Sequence, residues 1–109
     1  MTVTAKRLVS GSQLTGAAAT YYTAPLATKA VVKNANVCNS TAGAVNLTVH
    51  LVPNGGAAGA TNILISARAV APGAVDRCPE LVNQVIEAGG TLQALGLSLT
   101  LVASGVEIS

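Results

Sequence analysis

The chain predicts an all-β fold, an antiparallel two-sheet β-sandwich of jelly-roll-like type with seven to eight strands, in a single domain over residues 1–109. Three observations predict it. Turn-forming clusters recur at short intervals, among them Ser10-Gly11-Ser12, Ala24-Pro25, the Asn/Gly stretch at 39–43, the loop at 53–59, Ala71-Pro72-Gly73 and Gly89-Gly90. The segments between them are short and rich in Val, Leu, Ile and Thr, the grammar of many short strands separated by turns. Several of these segments alternate apolar and polar residues, which gives a strand one buried and one outward face.

Residues 3–9 and 19–23 are short β-like stretches. Residues 28–38 are also β-like, although Lys33, Asn34 and Asn36 interrupt both faces. The clearest strand covers 44–52: Val45, Leu47, Val49 and Leu51 share one face, and Asn46, Thr48 and His50 the other. Residues 63–70 set Ile63, Ile65, Ala67 and Ala69 against Ser66 and Arg68. The exception is a short helical turn near 79–84. Leu81, Val82, Val85 and Ile86 stand at helical spacing, Pro79 and Glu80 suit a first turn, and Gly89 suits a stop. Residues 91–95 form another short strand. Leu97, Leu99, Leu101 and Ala103 then alternate with Ser98 and Thr100 before Val106 and Ile108 take the opposite parity. A β-bulge at Gly105 is the expected device for that change of phase.

Only 9% of the 109 residues are charged, against ~25% in ordinary soluble domains. The aromatic residues are Tyr21 and Tyr22 alone, so the core is built from Val, Leu, Ile and Ala. The exterior is left to Ala, Gly, Thr, Ser and Asn, as suits a protein packed against neighbours. Such a core gives modest stability by itself, and subunit contacts add to it by mass action. The net charge of +2 comes from scattered cations (Lys6, Arg7, Lys29, Lys33, Arg68 and Arg77), without the basic clustering that nucleic acid requires. No apolar run approaches the ~20 residues of a membrane-spanning helix. Residues 1–7 lack the apolar stretch of a signal peptide. A reducing compartment is expected, and with it Cys38 and Cys78 as free thiols rather than a disulfide.

The sequence offers little reactive chemistry. His50 is the only histidine, and its place on the polar face of the clearest strand marks it as a surface residue. Cys38, Cys78, His50, Asp76 and Glu80 show no ligand-pair spacing of a zinc site. Asp76-Arg77 with Glu80 reads as solvated charge at a turn. The loop at 54–61 lacks the Gly-Lys-Ser/Thr of a phosphate-binding loop and reads as a flexible connection. Neighbouring residues on a strand face opposite ways, so Tyr21 and Tyr22 form no common platform, one being core or interface and the other partly exposed. No catalytic, cofactor-binding or metal-binding residue is expected, and the chain is not read as an enzyme.

The order of several segments carries a resemblance. Val-Thr-Ala-Lys-Arg-Leu at 3–8 precedes Tyr-Tyr-Thr-Ala-Pro at 21–25, Ala-Val-Val-Lys at 30–33 and Val-Cys-Asn-Ser-Thr at 37–41. Then come Val-Asn-Leu-Thr-Val-His-Leu-Val-Pro at 45–53, Cys-Pro-Glu-Leu-Val at 78–82 and Ser-Gly-Val-Glu-Ile at 104–108. In this order the chain resembles small β-sandwich structural proteins in the virions of tailed bacteriophages. The resemblance implies a capsid decoration (cement) protein that binds the major capsid protein or other virion proteins. It further implies a homo-oligomer, a trimer being favoured, located in the virion after assembly in the host bacterial cytoplasm. No cofactor, nucleic acid or membrane is implied. The alternative is a tail or fibre accessory module that recognises a glycan. Functional positions in that group are diffuse interface residues, so none transfers to this chain.

Overall fold

In the computed structural model, which describes residues 2–109, the alternating segments become strands of two antiparallel sheets. The first sheet has β1 (Val3–Gln13), β9 (Thr100–Ile108) and β3 (Lys29–Cys38) side by side. Two short strands, β6 (Val75–Asp76) and β7 (Val85–Ile86), pair with the other edge of β3. The second sheet has the order β2 (Ala19–Thr23), β8 (Thr91–Leu95), β4 (Val45–Val52), β5 (Ile63–Val70). Since β6 and β7 flank a 3₁₀ turn at Pro79–Leu81 and share one edge of β3, they act as one interrupted strand. The chain then places four strands against four, changing sheet at every connection except the β4–β5 hairpin. That is the double Greek key of a jelly roll.

The core lies between the sheets and is aliphatic, as the composition requires. Leu14, Leu47, Leu81, Leu92, Leu99 and Leu101 are its largest sealed side chains, with Val32 and Val37 beside them. On the first sheet the inward positions are Ala30, Val32, Ala35 and Val37 of β3 and Leu101, Ala103 and Gly105 of β9.

The helical turn expected near 79–84 is present as the 3₁₀ turn at Pro79–Leu81 and leads into a strand: Asn83 adopts a left-handed conformation (φ 68°), and Val85 and Ile86 are drawn out to pair with β3. Other local expectations give way to tertiary packing. Leu81 is sealed in the core while Val82 and Val85 stand exposed, so they share no helical face. Leu97 is 64% exposed in the turn before β9, although Leu99, Leu101 and Ala103 face inward as expected.

The bulge expected at Gly105 lies on the neighbouring strands instead. β9 alternates regularly through Gly105, while β1 carries an extra residue at Leu8 and β3 another at Lys33. Gly105 is required for a different reason, since a Cβ there would run into the Val31 carbonyl oxygen.

The single inward face expected for residues 63–70 is broken at Ala67, where φ is 49° and the β4–β5 register shifts. Ala69 consequently faces solvent and Arg68 comes opposite the sealed Leu47. A bulge has re-aimed a charged side chain towards the opening between the sheets.

Candidate assembly surface

Most of the polar side chains with chemistry are committed to holding the sandwich shut. At the β5 edge, Arg68 reaches across to the first sheet. Its Nε and Nη2 donate to the two Asp76 carboxylate oxygens at 2.8 and 2.9 Å, and Nη2 and Nη1 donate to Glu80. Glu80 and Asp76 together hold the guanidinium charged well above its ordinary range. Burial acts to raise the Asp76 carboxyl, but the bonds from Arg68 and from the Cys78 N–H (2.8 Å) outweigh it and leave the group below the usual carboxylate range. Hydrogen bonds from Arg68 lower Glu80 likewise. Asp76 and Glu80 are therefore not free charge at a turn with Arg77: their partner is Arg68, which the bulge at Ala67 delivers.

At the opposite edge Tyr22 of β2 donates its hydroxyl to Glu107 Oε2 of β9 at 2.5 Å, and Lys6 Nζ lies 3.4 Å from the same oxygen. Burial, followed by the bond to Glu107, pushes the Tyr22 phenol above its ordinary range. Tyr21 packs half-buried against the core, so one tyrosine is core and the other partly exposed.

A third polar tie is Asn39, a sealed side chain the sequence did not single out. Its Nδ2 donates to the carbonyls of Gly43 (2.9 Å) and Val70 (2.8 Å), and its Oδ1 accepts from the N–H and hydroxyl of Thr41. The only available signal was an Asn followed two residues later by Thr in a turn, a common local motif.

His50 is not a surface residue; it is 7% exposed. The loop at 54–61 folds over it, with Nδ1 2.9 Å from Asn62 Oδ1. That oxygen also accepts the Gly59 N–H, and Asn62 Nδ2 donates to the Ala57 carbonyl. The amide orientation is thereby set, and His50 Nδ1 must carry the proton. The loop joins β4 to β5 as expected, but Asn62 pins it.

Cys38 and Cys78 are free thiols, Cys38 half-buried and Cys78 sealed. Burial and the nearby Asp76 charge push the Cys78 thiol up to about 12. Among the described residues, no three His, Cys, Asp or Glu side chains gather as a metal site.

The exposed apolar residues that the strand register gathers into rows lie on the outer face of the first sheet. Because Gly105 and Glu107 point inward, Val106 and Ile108 point outward, and the registers set apolar neighbours beside them. Ala5, Val106, Val31 and Val85 form one cross-strand row, and Val3 and Ile108 begin the next, ending at Lys29. Val3 is 56% exposed and Val85 44%. The change of phase in the sequence thus marks β9 turning its apolar side chains from the inner face to the outer one. Beside these rows an open cleft of ≈ 510 Å³ is lined by Ile108, Lys29, Thr28 and Glu87, with Ala27 and Ala88.

No family model and no curated protein matches the chain. Among solved structures it is similar to the infectious bursal disease virus Gx strain structure, at 17% identity and a TM-score of 0.48 over 97% of this chain and 30% of that one. It is similar also to the infectious bursal disease virus VP2 subviral particle, at 16% identity and a TM-score of 0.46 over 97% of this chain and 32% of that one. The chain spans about a third of the length of those chains. A likeness this distant says nothing of function.

Proposed function

We propose that the chain is a virion structural protein, a capsid decoration or cement protein that binds the head shell of a tailed phage and stabilises it. The observation that carries this reading is the outward turn of β9. Val3, Ala5, Val31, Val85, Val106 and Ile108 are placed in register on a face that no element covers among the described residues, in a chain with only 9% charge. A contiguous outward apolar patch of this kind marks an interaction site. Jelly rolls serve in capsids and in sugar-binding modules alike, so the fold alone does not decide. The glycan-recognising alternative needs an aromatic side chain free to stack, but Tyr22 is buried on Glu107 and Tyr21 packs on the core.

In this reading the protein acts as a homo-oligomer, with a trimer favoured, on the major capsid protein. Each copy adds a modest burial area that the uncoated shell lacks, and many copies together resist internal pressure. The virion is its location, reached after assembly in the host bacterial cytoplasm, where Cys38 and Cys78 stay reduced. The test is to mix the purified chain with head shells assembled without it and follow co-sedimentation. Saturable binding at a fixed ratio per shell subunit is expected; shells that stay bare at saturating protein would refute the proposal.

A further inference from the structure

The same outer face has a charge pattern that specifies its partner. Of the six cations, Lys6 is paired with Glu107 and Arg68 with Asp76 and Glu80. Arg7, Lys29, Lys33 and Arg77 have no carboxylate partner among the described residues, and three of these four stand on the outer face of the first sheet. Arg7 lies opposite Ser104, one alternation beyond Ala5 in β1, and Lys29 lies opposite Ile108. Lys33 is the extra residue of the β3 bulge; together with Asn34 it falls between the inward Val32 and Ala35, so both face out. Its Nζ donates to the neutral Asn83 Oδ1, at 3.1 Å. Of the acids, Glu107 points inward and Asp76 and Glu80 are held by Arg68 at the β5 edge, while Glu87 lines the corner cleft with Lys29 and Ile108. Three cations against one acid therefore border the two apolar rows and leave the rim net positive.

We infer that this face docks on an acidic-rimmed apolar surface of a different protein, which under the reading above is the shell subunit, and not on a second copy of itself. A face-to-face pair of copies would be related by a two-fold axis and would bring Arg7, Lys29 and Lys33 against the same cations, a repulsive arrangement. Carboxylates around an apolar centre satisfy both parts of the pattern. The rim then sets orientation and encounter rate, and the rows supply the burial.

The experiment uses shells carrying the bound protein and a zero-length carbodiimide, which joins lysine amines to carboxylates in contact. Lys29 and Lys33 are expected to link to Asp or Glu of the shell protein. The triple variant Arg7→Glu, Lys29→Glu, Lys33→Glu should weaken shell binding at least about tenfold, and wild-type binding should weaken as salt rises. All three substituted side chains are exposed, so the variant keeps the fold; a thermal melt checks this, and Val106→Glu tests the apolar rows separately.

Links from Lys29 or Lys33 to acids of another copy would overturn the inference in favour of self-association. Binding indifferent to salt and to the triple variant would overturn it while leaving the virion proposal standing. Failure of the wild-type chain to bind shells would remove the virion proposal and this inference with it.

Discussion

Asn39 shows how a single side chain can hold three segments of this molecule. Its amide joins the turn at 39–43 to the end of β5, while its backbone N–H and carbonyl bond Ala74 and Gly73. Asn39→Ala leaves the Val70 carbonyl unpaired in a sealed site and should cost about 2–4 kcal/mol. A shift in the denaturant midpoint corresponding to less than about 1 kcal/mol would contradict that account.

The Arg68 clamp carries a pH signature. Asp76 has a lower carboxyl pKa folded than unfolded, so the unfolded chain binds more protons as the solution turns acid. The stabilisation is present above about pH 4, the ordinary carboxylate value, and is lost as pH falls through the folded value. Arg68→Ala should flatten the acid limb of a stability-against-pH curve.

Tyr22 acts at the other extreme. Its phenol is raised in the fold, so its contribution is intact below about pH 10 and declines above it. Tyr22→Phe should remove that alkaline decline, as followed by thermal melts across pH. The thiols also separate: in the native protein a disulfide reagent should modify Cys38 readily and leave the sealed Cys78 untouched until the chain unfolds.

At the scale of the element, the strands were legible where one face is continuously apolar and illegible where a neighbour re-aims the chain. β4 and the second half of β9 show the contrast. In β4, Leu47 and Val49 face the core as the alternation requires, yet His50 is buried too, because a loop covers the outer face. In β9 the apolar phase changes with no change of backbone geometry, because the outer face becomes apolar.

Gly105 and Ala67 make these statements testable. Gly105→Ala drives a methyl into the Val31 carbonyl of the paired strand and should cost about 3 kcal/mol. Ala67→Gly relieves a left-handed alanine (φ 49°) and should be neutral or stabilising by up to about 1 kcal/mol. Marked destabilisation by Ala67→Gly would mean that the bulge is not strained as described. β6 and β7 have two residues each, too few for a periodicity, and exist because the free edge of β3 offers unpaired backbone groups.

At the scale of the molecule, the sandwich is tied at both edges: by Arg68 with Asp76 and Glu80 on one side, and by Tyr22 with Glu107 and Lys6 on the other. Closing the edges in this way consumes three of the four acids. It thereby leaves the outer face of the first sheet positive as well as apolar. Light scattering on the purified chain should show that Val31→Glu and Val106→Glu leave its oligomeric state unchanged, since that face is assigned to another protein. Dissociation of an oligomer by either variant would place the contact between copies on this face instead.

The amino-acid order by itself determined an aliphatic, all-β sandwich with sparse charge, because strand alternation and turn residues are local properties, readable within a few positions. It also recorded the phase change at Val106, but not its meaning. Whether an outward-pointing valine signals a bulge or a second apolar face depends on which strands lie beside it. Only the tertiary structure decided that, by bringing Ala5, Val31 and Val85, distant along the chain, into one row with Val106. The partners of Arg68, the burial of His50 and the role of Asn39 were settled in the same way. Each depends on contacts with a segment outside the residue's own strand, which alternation along one strand does not encode.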